Sequence, residues 1–156
     1  MKLQRLAVMT GVMHKGLTLR DFFEEAVRCN VPGLPFVDEN GHISGRVSIR
    51  DVFKRIAVPS SYLRLVDAIG DMTNRLDMSE RRILEAMARP VEDYVLERLP
   101  SVSPASSLIK ALAIMEAYDT HYIFLIEDDR YMGIVTRVVI ADRLLVWFKE
   151  VGADKA

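Results

Sequence analysis

Cysteine, histidine and an excess of either charge are all scarce in this sequence, and each scarcity closes off a class of function. Cys29 is the one cysteine, so no internal disulfide can form. No spacing around it supplies a base for thiol chemistry, and a buried inert thiol within a helical run is its expected role. His14 and His42 have no metal-ligand spacing with each other or with Cys29, and no metal site is expected. Lys and Arg total 21 against 22 Asp and Glu, a net charge of −1, which is not the basic field that neutralises nucleic-acid phosphates. The longest apolar runs, Tyr122 to Ile126 and Leu144 to Phe148, are far shorter than the roughly 20 residues that span a bilayer. Lys2 and Arg5 stand where a signal peptide needs apolar residues, so a soluble, cytoplasmic protein is expected. Gly-x-Ser-x-Gly, a Walker-type phosphate loop and a paired His and Cys arrangement are also missing, so catalysis is not expected.

What is present is a repeat. The 156 residues are 50% hydrophobic, enough for one compact unit or two small fused ones. Thr18-Leu19-Arg20-Asp21-Phe22-Phe23 finds a counterpart in Ser107-Leu108-Ile109-Lys110-Ala111-Leu112, an offset of 89 (18 to 107). Leu34-Pro35-Phe36-Val37-Asp38 lies over Ile123-Phe124-Leu125-Ile126-Glu127 at the same offset. Gly45-Arg46-Val47-Ser48 then lies over Gly133-Ile134-Val135-Thr136 at 88 (45 to 133), so the second copy's turn is one residue shorter. Turns tolerate such changes because their backbone is solvated.

Asn40-Gly41 between apolar runs signals a hairpin with a primed turn, both residues at positive φ. Leu19, Phe22, Phe23, Ala26 and Val27 form a helical stripe, repeated by Leu108, Ala111, Leu112 and Met115. Thr18 with Asp21 forms a capping box, and Ser107 offers a cap without the acid. Second helices are expected near Ile49 to Ile56 and Arg137 to Phe148. Extended segments are expected around Leu6 to Val12 and Val95 to Val102. Between the copies, Tyr62, Leu65, Val66, Ile69, Met72 and Leu76 follow helical spacing, and Ile83, Leu84 and Met87 suggest a short helix stopped before Pro90. The expected division is a first repeat over 1–58, a helical insert over 59–89, a second repeat over 90–150 and a tail over 151–156.

The stretch from Val31 through Leu34-Pro35-Phe36-Val37-Asp38 and Gly45-Arg46-Val47-Ser48 to Asp51 resembles the core signature of cystathionine-β-synthase (CBS) domains. Tyr122 to Thr136 is similar but weaker. The resemblance implies an α/β (α+β) fold: two tandem β-α-β-β-α units related by a pseudo-twofold axis, a Bateman module, with clefts that often bind adenosine-containing ligands. It also implies pairing into homodimers.

In that family the ligand motif is a Ser or Thr ending the second hairpin strand with an Asp three residues on, here Ser48 and Asp51. A hydroxyl and free N–H groups at a helix N-terminus suit phosphate, and a carboxylate can accept from both ribose hydroxyls. The same two residues also read as a plain N-cap with an acid at N3. The resemblance implies that Gly33, Leu34 and Pro35 frame the adenine and that Thr18 reaches the ribose or phosphate. Arg50 is either a phosphate counter-ion or a solvated helix residue. In the second copy Thr136 keeps the hydroxyl, but Val139 replaces the acid, Asp142 falls one turn too late and Phe124 replaces the proline. One working cleft is therefore expected, with a second, degenerate one near Thr136, Arg137 and His121.

The leading expectation is a non-catalytic regulatory module sensing AMP, ADP or ATP, with S-adenosylmethionine as a further candidate ligand. The alternative is a ligand-free interaction protein that dimerises or docks a protein target. Leu144, Leu145, Val146, Trp147 and Phe148 cover more than one helix face and suit either internal packing or such an interface.

Overall fold

The computed structural model describes residues 2–58 and 80–153, and the expected helix through Tyr62 to Leu76 lies outside them. In the first copy, helix α1 (Leu19–Cys29) starts where Thr18 accepts from the Asp21 N–H while the Asp21 carboxylate accepts from the Thr18 N–H. It stops at Asn30, whose φ of 53° ends the helical ladder. Leu19, Phe22 and Ala26 are buried, but Val27 is 72% exposed. At 100° per residue, Val27 sits about 80° round from Leu19, off the apolar stripe.

Strands β1 (Gly33–Val37) and β2 (Ile43–Ser48) form the first antiparallel hairpin, followed directly by α2 (Ile49–Ile56). Their turn differs from the primed form expected at Asn40-Gly41. Only Gly41 takes a positive φ, 81°. The Asp38 carboxylate accepts from the N–H groups of Asn40 and His42, and the Asp38 N–H bonds the His42 carbonyl. The result is a three-residue loop closed by a left-handed glycine. After α3 (Glu80–Met87), the second copy supplies β3 (Ser101–Val102), α4 (Leu108–Ala117), β4 (Tyr122–Glu127), β5 (Arg130–Thr136) and α5 (Arg137–Ala153). Here the loop is the two residues Asp128 and Asp129, at φ 49° and 59°, between the paired Glu127 and Arg130. The missing residue thus converts one hairpin type into the other, and the primed turn belongs to the second copy.

The copies interlock by exchanging their leading segments. Val8 pairs antiparallel with Ile134 of the second copy, and Leu96 pairs with Arg46 of the first. Both pairings carry two backbone hydrogen bonds of 2.8–2.9 Å. The approach is too close for a side chain: a Cβ at Gly45 would lie 2.5 Å from the Leu96 carbonyl oxygen, and one at Gly133 would lie 2.9 Å from the Ala7 Cβ. Within each copy the chain then runs parallel to the first hairpin strand, at Met13 against Phe36 and at β3 against β4. Short 3-10 turns, Leu3–Leu6 and Val91–Tyr94, precede the exchanged segments, the first meeting the expected extended stretch only at Leu6.

The core follows the exchange. One buried cluster joins Leu19, Phe22, Leu34 and Val47 of the first copy to Tyr122, Phe124 and Ile134 of the second. A second cluster, with Leu3, Met115, Ile123, Leu125 and Val135, lies under α4.

Candidate functional site

Because each hairpin is edged by the other copy's leading segment, the N-terminus of α2 faces residues of the second copy. There a cavity of about 300 Å³ opens, at the low end of the roughly 300–1,000 Å³ range of small-molecule sites. Its floor is Arg46, Ser48, Thr120 and Tyr122, each no more than 8% exposed. Its rim carries Arg50, Arg98, Asp119 and His121, with Asp51 half-buried between floor and rim.

Ser48 occupies the N-cap position, yet its side chain makes no capping hydrogen bond. Thr136, its counterpart, does cap: its hydroxyl accepts from the Val139 N–H at 3.2 Å. The two copies therefore differ in what the hydroxyl is used for. Asp51 lies in the first turn of α2 and faces the cavity, as Ser48 and Arg50 do. The Arg50 guanidinium crosses the mouth to the Asp119 carboxylate at 3.1 Å and its carbonyl at 3.2 Å. Both side chains are largely exposed, so solvent screens the pair and it can open at little cost.

The structure brings Ser48, Arg50 and Asp51 together and places the other expected residues elsewhere. His121 lines this cavity, while its carbonyl accepts from the Arg137 N–H beside Thr136. Thr18 caps α1, pairs with Pro90 and is not part of the cavity lining. Pro32 forms the wall where Gly33, Leu34 and Pro35 were expected. Leu34 is wholly inside the core, and the Pro35 carbonyl accepts from the Met13 N–H. At Gly33 a side chain would meet the Tyr122 phenol oxygen at 2.6 Å, so the phenol fills that space. On the other side, Arg137 turns to Glu116 of α4 and Val139 packs against the second core cluster.

Arg46 is the residue that motif reasoning missed. Its Nε donates to the Arg98 carbonyl at 2.9 Å, and its Nη1 donates to the Tyr122 hydroxyl at 2.7 Å and to Thr120 Oγ1 at 3.4 Å. It pairs with no carboxylate among the described residues. A signal existed in the repeat itself, where Arg46 stands over Ile134, a charged residue at a position the other copy buries. Burial raises the Tyr122 phenol above its ordinary pKa despite the guanidinium beside it, so the phenol keeps its proton. Arg98 also stacks on Tyr118, 4.6 Å from the ring centre, giving one wall a flat cationic face.

No helix among the described residues is long and apolar enough to cross a membrane. The sequence matches the CBS domain family over residues 14–58 and 91–145. No curated protein matches it. Among solved structures, a CBS domain-containing protein of unknown function from Kribbella flavida is similar at 19% identity and a TM-score of 0.64, covering 92% of this chain and 99% of that one. A CBS domain-containing protein of unknown function from Bacillus anthracis is similar at 18% identity and 0.63, covering 92% of each chain. CBSX2, solved in complex with AMP, is similar at 20% identity and 0.64, covering 92% and 96%. With the family matching both copies and the fold shared along nearly the whole chain, this protein belongs to the CBS-domain family and carries two CBS domains in tandem.

Proposed function

We propose that the Ser48–Asp51 cavity binds a nucleotide and that the protein is a non-catalytic regulatory module responding to adenosine nucleotides. The observation that carries this reading is the cap difference: Ser48 is not spent on its helix, whereas Thr136 is. Ser48 and the free N–H groups of α2 suit a phosphate, Asp51 suits a ribose diol, and Arg50 supplies a cation at the mouth. CBSX2, of similar fold, binds AMP. A nucleotide seated here touches both copies and competes with Asp119 for Arg50, so it favours one relative placement of the two halves. That differential contact is what a regulatory ligand requires.

A second reading draws on α5, where Leu144, Leu145, Trp147 and Phe148 are between 45% and 71% exposed. A face of this kind suits pairing with a second copy or docking on a protein target. Isothermal titration with AMP, ADP, ATP and S-adenosylmethionine separates the two. Saturable binding of at least one ligand at one site per chain is expected, and silence across all four would leave the interaction role.

A further inference from the structure

We infer that the groove between the N-terminal turn and α5 is a second binding site, for a small anion with a flat apolar body such as an aryl phosphate. The Leu3–Leu6 turn packs against α5. A groove of about 470 Å³ lies between them, lined by Lys2, Arg5, Leu6, Arg143, Leu144 and Trp147, a size that suits a small molecule. It shares no lining residue with the Ser48–Asp51 cavity.

The repeat shows what sets this groove apart. At the offset of 88 that relates Val8 to Leu96 (8 to 96), Leu3–Leu6 stands over Val91–Tyr94 and Arg143 over Arg55. In the first copy the arginine is satisfied within the fold: Arg55 donates to the Asp93 carbonyl and lies over the Tyr94 ring, 4.2 Å from its centre. The second copy has Leu6 for the tyrosine and Arg5 for the aspartate, so the ring is gone and a second cation lines the groove with Arg143. The side chains of Lys2, Arg5 and Arg143 are exposed and make no hydrogen bond or ion pair with the described residues. Three cations thus converge on one concave surface of a chain whose net charge is −1, and no carboxylate lines it. A cleft lined by one sign of charge concentrates the opposite ion, and guanidinium groups match a phosphate. Leu6, Leu144 and Trp147 supply the apolar part, and Trp147, 56% exposed, is open to stacking by a flat ring. None of the lining side chains is a hydrogen-bond acceptor, so a hydroxyl-rich sugar gains little there. The cations gather in the groove and not beside the exposed Leu145 and Phe148, which favours a small molecule over a flat membrane surface.

Trp147 is the one tryptophan of the chain, so its emission reports this groove and not the Ser48–Asp51 cavity. Titration of the full chain with phenyl phosphate, and with inorganic phosphate as the probe that lacks the ring, tests the inference. Phenyl phosphate is expected to change the emission saturably and to bind about tenfold or more tighter than inorganic phosphate. Arg143→Gln, and Arg5→Asp, which copies the acid of the first domain, are each expected to weaken phenyl phosphate binding about tenfold, with circular dichroism confirming that both fold. Emission unmoved by phenyl phosphate, or a response equal in parent and variants, would overturn the inference. So would a response to anionic phospholipid vesicles alone, which gives the groove to a membrane surface, or to protein concentration alone, which gives it to a second copy. AMP binding followed by calorimetry is expected to be unchanged in Arg143→Gln, so failure here and failure of the nucleotide reading are told apart. Loss of AMP binding in that variant alone would overturn the separation of the two sites.

Discussion

Asp51→Ala is expected to weaken nucleotide binding by a factor of ten or more, with the protein still folded. Hydrogen bonds to a charged partner are worth about 1.5–3 kcal/mol each, and a half-buried carboxylate meeting a ribose diol makes up to two. The folding cost is small by comparison. An acid in the first turn of a helix contributes about 0.3–1 kcal/mol, and no hydrogen bond of the Asp51 side chain to the described residues holds the fold together. Titration beside a thermal melt reads both effects. Affinity equal to that of the parent would remove Asp51 from the site, whereas a variant that melts far lower would show that its role is structural.

Phe124→Ala is expected to cost about 3–5 kcal/mol of stability, the range for emptying a buried aromatic site. Phe124 is wholly buried. Its ring meets Tyr122 edge-on at 5.4 Å and Tyr131 at 6.0 Å. It belongs to the cluster that also contains Phe22, Leu34 and Val47 of the first copy. Truncation therefore leaves a void beneath both domains, and no collapse of one domain alone can fill it. Since a domain of this size is stable by only about 5–15 kcal/mol, the loss is a large share of the total. Chemical unfolding followed by circular dichroism and tyrosine fluorescence should show one transition at a lower denaturant concentration. A loss under about 1 kcal/mol, or two separate transitions, would contradict a core shared between the copies.

Local physics was legible in the residues. The Thr18 and Asp21 capping box, the apolar stripes of α1 (Val27 excepted) and α4, and the helix stopped before Pro90 all depend on neighbours a few positions apart, and each formed as expected. The shortened second turn was visible too, though not its consequence. A two-residue loop demands left-handed residues, and Asp128 and Asp129 accept that geometry where Asn40 did not need to. Non-local pairing escaped the sequence. The exchange of Val8 and Leu96 between hairpins joins residues far apart in the chain, and it sets Leu96 and Arg98 in the same cavity as Ser48. Phe124, which departs from the family's proline, is read from sequence as a defect in a binding site; in the folded protein it fills the shared core. Arg46 was overlooked because an arginine inside an alternating strand is ordinarily a surface residue, and only the closure of the second copy over it makes it the floor of a cavity.

The most direct test of the central claim, a nucleotide held between the two domains at the start of α2, is amide hydrogen exchange with and without saturating ligand. The account predicts slowed exchange at residues 46–51, 96–98 and 118–122, on both sides of one cavity, with residues 136–139 unchanged. Protection centred on 136–139, or on one domain alone, would contradict it.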